Sequence, residues 1–289
     1  VKEQVTIRIP ATTSNLGPGF DCLGVALRIY NWIDARRDKP GSLSLMAAET
    51  ADKFFTATQR RPFNFSSSIS GAVPIARGLG SSVTVRLGML HALNELAGTG
   101  LNRFDLFALC ADLETHPDNA APASFGGFTI ARSREVQRFI VSRQLQFVLL
   151  VPEFEVETTK ARRLLPKQID RAEAVMSSGN AAAITAAFAS RDYERLRGAF
   201  RDGLHQPFRK RLVPFLDKVI TAAEEAGAFG AFLSGSGPAV CAVTLRNPRK
   251  VADAMRSAAG LGSGRMLITS ADNHGVRILK TANQKSKNR

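Results

Sequence analysis

Four groups of residues in the sequence could do chemistry. PIARGLGSS (74–82) is a glycine-rich turn running into a helical pattern. Such a turn lets backbone amides and the positive end of a helix dipole face a phosphate with no Cβ in the way. It lacks the Gly-Lys-Ser/Thr ending of a Walker A loop and the GxGxxG spacing of a dinucleotide fold, and alone it is equally an ordinary loop before a helix. Glu114 with His116-Pro117-Asp118-Asn119 gathers two carboxylates, an imidazole and an amide within six residues. Phosphoryl transfer needs an oxygen ligand for Mg²⁺ and polar groups to orient the attacking hydroxyl, and this cluster offers both. Pro-Asp-Asn is also good turn chemistry, so a capped turn is the plain alternative. LSGSGPA (233–239) is a second Gly/Ser-rich loop, and two such loops far apart in the chain suggest a ligand held at their junction. Arg162 and Arg209, the latter beside His205-Gln206-Pro207, have the fork that clamps a carboxylate, although in so basic a chain most arginines are solvated.

These groups need elements to hold them. Val5, Ile7 and Ile9 alternate with polar neighbours, the period of a half-buried strand ending at Pro10. The alternation resumes through Val25, Leu27, Ile29 and Ile33, so ATTSNLGPGFDCLG is a loop between two strands, carrying Asn15 and Asp21. From Ser81 the period becomes helical, with Val83, Leu87, Leu90, Leu93 and Ala97 on one face and Gly98 placed to end it. A second helix starts near Arg103, capped by Asn102, with Leu106, Leu109, Cys110 and Leu113 on its buried stripe and Glu114 at its end. LQFVLLV (145–151) reads as a buried strand, 159–226 as helix-rich, and FLSGSGPAVCAVTL as strand, loop, strand; a helix over 249–259 and a strand RMLITSA follow. The pattern is α+β, with one domain over 1–145 and a second over 146–280. The polar, basic end TANQKSKNR (281–289) is expected to be disordered.

At 289 residues the chain is long enough for two domains with real cores, and 44% hydrophobic with 22% charged residues is a globular balance. The formal charge of +14 favours acidic partners without choosing among nucleotides, nucleic acids and membrane head groups. Cys22, Cys110 and Cys241 are widely spaced, with no CxxC pair and no His at ligand spacing, which argues against a disulfide framework or a zinc site and fits a reducing cytoplasm. VKEQVTIRIP mixes charges and alternates, unlike a signal peptide, and the start at Val1 reads as trimmed. No stretch approaches the roughly 20 apolar residues of a membrane span.

Taken together, NLGPGFDCLGVAL (15–27), PIARGLGSS (74–82), ETHPDNAAPASFGG (114–127) and FLSGSGPAV (232–240) resemble, in this order, the GHMP family of small-molecule kinases. The first and third are similar to its homoserine kinase branch in particular, as are TTKARRLLP (158–166) and LHQPFR (204–209). The resemblance covers nearly the whole chain. It implies the two-domain GHMP kinase fold, with an ATP-binding N-terminal domain like the second domain of ribosomal protein S5 and a ferredoxin-like C-terminal domain. It also implies ATP-dependent phosphorylation of the side-chain hydroxyl of L-homoserine, a step of threonine biosynthesis, in the cytoplasm. The cofactors are ATP and Mg²⁺. The cofactor-binding segment falls on Pro74, Ile75, Ala76, Arg77, Gly78, Leu79, Gly80, Ser81 and Ser82, the backbone of Gly78 to Ser82 wrapping the triphosphate. Ser82 and Glu114 fall on the metal-ligand positions, and the substrate-binding positions are Asn15, Asp21, His116, Asn119, Arg162 and Arg209. Asp21 would pair the ammonium and the two arginines the carboxylate. Catalytic work would fall on Ser82, Glu114, His116 and Asn119. Several relatives have an aspartate where Asn119 stands, and an amide cannot serve as a base, so the proton would pass to the γ-phosphate.

Val83 stands where a small residue usually follows the double serine, and Thr115 where a glycine is expected; both would add bulk near the phosphate site. Two other functions stay open. One is a GHMP kinase for another alcohol, such as mevalonate or a sugar, against which the Asn15/Asp21 and Arg162/Arg209 set suits a zwitterion. The other is a basic nucleic-acid-binding protein with an S5-like domain, whose binding would weaken steeply with salt and show no turnover. Partners are otherwise small molecules, with no membrane; the sequence leaves a homodimer open.

Overall fold

The computed structural model describes residues 2–37 and 41–283. The elements in chain order are β1 (Lys2–Ser14), β2 (Leu23–Arg36), α1 (Leu45–Thr58), β3 (Ser66–Gly71), α2 (Ser81–Ala97), α3 (Arg103–Glu114), α4 (Pro117–Phe125), β4 (Phe128–Arg132), β5 (Glu135–Phe139), β6 (Gln146–Val151), α5 (Thr158–Arg163), α6 (Arg171–Ser190), α7 (Gln206–Arg209), α8 (Leu216–Glu225), β7 (Gly230–Leu233), β8 (Val240–Thr244), α9 (Pro248–Ala259), β9 (Arg265–Ser270) and β10 (Arg277–Asn283). One antiparallel sheet has the order β10-β1-β2-β4-β5, with β3 also paired to β2; the other has the order β7-β8-β6-β9.

Alternation decides the layering. Val5, Ile7 and Ile9 of β1 face Leu87, Leu90 and Leu93 of α2, Phe54 of α1 and Phe107 of α3 in one core. Gly88 lets α2 settle on the sheet, since a Cβ there would meet Ile33 at 2.5 Å and Ile9 at 2.7 Å. In β6, Phe147, Leu149 and Val151 face a central core shared with Val25 and Leu27 of β2 and with α6. Val148 and Leu150 face the opposite way, onto α8 and α9. That strand is therefore apolar throughout because both its faces are covered.

Three expectations change. The first strand does not end at Pro10: it runs to Ser14, with a register shift between Pro10 and Ala11. Pairing with β10 has already stopped at Arg8, so the missing amide lies at a bulge, where proline is tolerated. The loop is correspondingly shorter, residues 15–22. The second change is at the chain's end. Residues 277–283 form β10 and return to the first sheet, pairing with β1, so a second domain running to 280 and a disordered tail from 281 do not describe this strand. The remainder of that tail, 284–289, lies outside the described residues. The third change concerns Val83, which is fully buried among the core residues of α2 and adds no bulk at the cleft.

Candidate active site

The two glycine-rich loops meet. Ser234 donates its hydroxyl to the Gly78 carbonyl (2.7 Å), Ala239 N–H bonds to Arg77 O (3.2 Å) and Gly235 N–H bonds to Ser14 O (3.2 Å). The approach requires glycine: a Cβ on Gly78 would stand 2.1 Å from Ser234 O, and one on Gly80 2.1 Å from the Thr12 hydroxyl. Beside this junction opens a cleft of about 720 Å³, lined by the first sheet and the start of α2 on one side and by Gly235 and Ser236 of the β7–β8 loop, Arg162 and Arg209 on the other. Gly80, in the left-handed conformation, is the N-cap of α2 and brings no side-chain cap, so the amides of the first turn face the cleft.

Ser82, one residue into the helix, donates to Glu114 Oε2 at 2.9 Å. Arg86, one turn on and on the same face as Ser82, lies 3.0 Å from the other carboxylate oxygen. That oxygen, Oε1, is buried, and its partner is the Arg86 guanidinium as an ion pair. Burial raises the Glu114 pKa, and Arg86 and Ser82 act in the opposite direction.

α4 opens where a turn is an equally good reading of the sequence: His116 is its N-cap and Pro117 its first residue. Asn119 is held from both ends, accepting from the Thr12 hydroxyl (2.7 Å) and donating to Ser14 Oγ (2.9 Å). Asp118, at 5% exposure, also lines the cleft. Burial pushes its carboxyl up to about 6, with Ser14 lowering it and Asp21 raising it. His116 sits 3.5 Å from Asp21, and burial lowers its pKa, Asp21 opposing and the two arginines adding to the effect.

The loop 15–22 is closed by Asn15, whose Oδ1 accepts from Asp21 N–H (3.0 Å) and whose amide donates to Gly235 O (2.9 Å). Asp21 and Arg162 pair with each other in bidentate fashion, at 2.6 and 3.1 Å. Arg209, 1% exposed, donates to Gly235 O (3.0 Å). Its pKa falls to about 10, mainly through burial and then the nearby Arg162 charge. Behind it, His205 donates Nε2–H to Gly17 O (2.8 Å), leaving Nδ1 to accept from Arg209 (3.3 Å). Both guanidiniums lie over the Phe20 ring, at 5.3 and 5.2 Å.

Thirteen of the expected site residues line this one cleft: Asn15, Asp21, Ile75, Ala76, Gly78, Gly80, Ser81, Ser82, Glu114, His116, Asn119, Arg162 and Arg209. Three of the nine cofactor-segment residues do not. Pro74 and Leu79 are buried, and Arg77 turns away to Pro152 O (2.9 Å) and Glu155 (3.0 Å). Thr115 is the C-cap of α3 with φ of 65° and does not line the cleft. Asp118, expected only as the second carboxylate of the 114–119 cluster, lines the cleft as well, and Arg86, to which the sequence motifs give no role, pairs with Glu114. Arg86 is findable from its i, i+4 spacing to Ser82; the burial that marks Asp118 has no local signal. Met46, Ile69 and Val73 contribute apolar side chains to the same lining.

Comparison with known proteins places the chain. The GHMP kinases N-terminal domain model matches residues 45–127 and the GHMP kinases C-terminal model residues 184–260, together more than half of the sequence. The chain belongs to the GHMP kinase family, whose members use ATP, and its architecture is the two-domain fold of that family. It is 34% identical to the homoserine kinase of Caldicellulosiruptor bescii, over 95% of this chain and 96% of that one. It is 37% identical to the homoserine kinase of Microchaete diplosiphon, over 89% and 91%. The crystal structure of homoserine kinase from Cytophaga hutchinsonii superposes with a TM-score of 0.87 at 25% identity, covering 96% of this chain and 98% of that one. Mevalonate kinase of Methanococcus jannaschii, at TM-score 0.70 and 14% identity over 93% and 98%, shares the fold. No helix among the described residues is long and apolar enough to cross a membrane.

Proposed function

We propose that the chain transfers the γ-phosphoryl group of ATP to the side-chain hydroxyl of L-homoserine, giving O-phospho-L-homoserine and ADP. The hydroxyl oxygen forms a bond to the γ-phosphorus as the bond to the bridging oxygen of ADP breaks, and the hydroxyl proton passes to the transferred phosphoryl group. The observation that carries the acceptor assignment is the pairing of Asp21 with Arg162, beside Arg209, in the same cleft as the bare N-terminus of α2. A carboxylate beside two guanidiniums complements a zwitterion. An incoming amino acid can exchange the internal pair for two new ones, its ammonium to Asp21 and its carboxylate to the arginines, with no charge left buried alone. A monoanion leaves Asp21 unmatched, and a neutral sugar matches no charge of the set.

The amides of Gly78 to Ser82 would hold the triphosphate, and Met46, Ile69 and Val73 would offer the base apolar contact. Ser82 and Glu114 would hold Mg²⁺: the serine hydroxyl and Glu114 Oε2 lie 2.9 Å apart in the cleft, an oxygen donor pair of the kind that ion takes. When bound, the ion neutralises charge on the phosphates. Asn119, fixed by Thr12 and Ser14, orients the attacking hydroxyl, and the cytoplasm is the compartment this chemistry suits.

A coupled ADP-release assay across L-homoserine, mevalonate, galactose and L-serine tests the assignment. Turnover with L-homoserine should exceed every other acceptor by at least about tenfold in kcat/KM, the scale of one charge-assisted contact. Equal turnover with mevalonate or galactose removes the zwitterion from the function.

A further inference from the structure

A second cleft, of about 210 Å³, lies at the junction of β1, β2 and the turn between β9 and β10, and no residue lines both it and the large one. Four arginines border it: Arg8, Arg28, Arg143 and Arg277. Arg8 and Arg277 are direct cross-strand partners in the antiparallel β1/β10 pair, where like charges repel at close range. The single carboxylate in the lining is Asp272, and its oxygens are already committed. One accepts from the Tyr30 hydroxyl (2.8 Å), the other from the amides of His274 and Gly275 (2.7 Å each). Its nearest guanidinium contact, to Arg8, is a loose 3.9 Å. Arg28, Arg143 and Arg277 form no ion pair among the described residues, and the buried Nε of Arg8 has no hydrogen-bond partner at all. Four positive charges around one occupied carboxylate leave an excess of three, most of which two negative charges on a ligand would offset.

We propose that this cleft is a second binding site, for a phosphate dianion, carried either by inorganic phosphate or by a small phosphate ester. The guanidinium fork matches phosphate oxygens in bidentate fashion, and a dianion relieves the Arg8/Arg277 repulsion that a monocarboxylate would only halve. The volume falls below the roughly 300–1,000 Å³ of pockets that enclose drug-sized ligands, which excludes a nucleoside triphosphate and fits a phosphoryl group. The concave form favours a small anion over the extended backbone of a nucleic acid. The site is independent of which alcohol the large cleft phosphorylates.

Isothermal titration with inorganic phosphate and with O-phospho-L-homoserine, in chloride at fixed ionic strength, decides the matter. The wild type is compared with R28A/R143A, both positions being exposed, and with R162A in the large cleft. Phosphate binding should survive R162A and weaken at least about tenfold in R28A/R143A, whose turnover should be unchanged. Tighter binding of phosphate in R162A identifies the free anion as the ligand, and tighter binding of the ester identifies a phosphorylated metabolite. If the double variant melts early, R143Q alone carries the comparison. Phosphate binding lost in R162A, unchanged in R28A/R143A, or absent from the wild type at millimolar concentration overturns the proposal. So does tight binding of a short DNA duplex that phosphate does not displace.

Discussion

Asp118 and Glu114 are both withdrawn from water at the large cleft, and each makes a measurable claim. Asp118 is raised from its usual 3.8 to about 6 by burial. Between those values the folded protein keeps a proton that the unfolded chain has released, so stability falls as pH rises through the window, and above it the deficit is complete. Two pKa units correspond to roughly 3 kcal/mol. Asp118→Asn should therefore melt higher than the wild type at about pH 7.5, with the difference shrinking as pH falls from about 6 and gone below 3.8, and kcat/KM for homoserine should drop. A melting difference that is the same at every pH excludes titration of Asp118 as its source. For Glu114→Gln, kcat should fall at least about a hundredfold, with a higher Mg²⁺ concentration needed for half-maximal rate and a Tm close to wild type. Near-normal turnover at limiting Mg²⁺ removes Glu114 from the metal site. Arg162→Ala should raise the homoserine KM about 10–100-fold, the value of a lost charge-assisted contact, with the ATP KM within about twofold. Equal effects on both would dissolve the clamp.

At the scale of elements, what could be read in the sequence was what is local. α3 begins and α2 ends at residues with cap chemistry: Asn102 accepts from the amides of Phe104 and Asp105, and Gly98 takes the left-handed conformation that ends α2. α1 carries comparable signals, an N-cap Ser44 and buried Ala47, Thr50, Ala51 and Phe54 at helical spacing, and was open to the same reading. The direction of Val83 was legible from the same period, which puts it on the apolar face with Leu87, Leu90 and Leu93; that spacing, and not its place after the double serine, decides that it turns to the core. Thr115 is a local conflict of a different kind. It is β-branched and sits at φ of 65°, where the sterics favour glycine, between Glu114 and His116. Relief of that strain against the larger unfolded-state entropy of glycine leaves a gain of about 1 kcal/mol, so Thr115→Gly should shift the denaturation midpoint upward with an unchanged slope. A lower midpoint would mean that the threonine side chain holds the junction together.

At the scale of the molecule, the sequence marks a change of composition near 145 but not how strongly its two sides are joined, because long-range pairing leaves no local pattern. β10 shows this most plainly: nothing in RILKTAN says that it crosses back to pair with β1. The central core is likewise built from both sides of residue 145, with Leu27 and Phe128 from one and Phe147, Phe188 and Phe232 from the other. Phe128 stacks on Phe188 at 4.3 Å with the rings 7° from parallel, so α6 is fastened to the first sheet. Because the cleft's two loops rest on that shared core, unfolding should be a single calorimetric transition, the two sheets losing structure together. Phe188→Ala should cost about 3–5 kcal/mol, lowering Tm by about 6–20 °C while keeping one transition. Two resolved transitions in the wild type, or a Phe188→Ala melt in which one half of the enthalpy stays at the original temperature, would show that the halves fold as separate units and that the cleft is held by its loops alone.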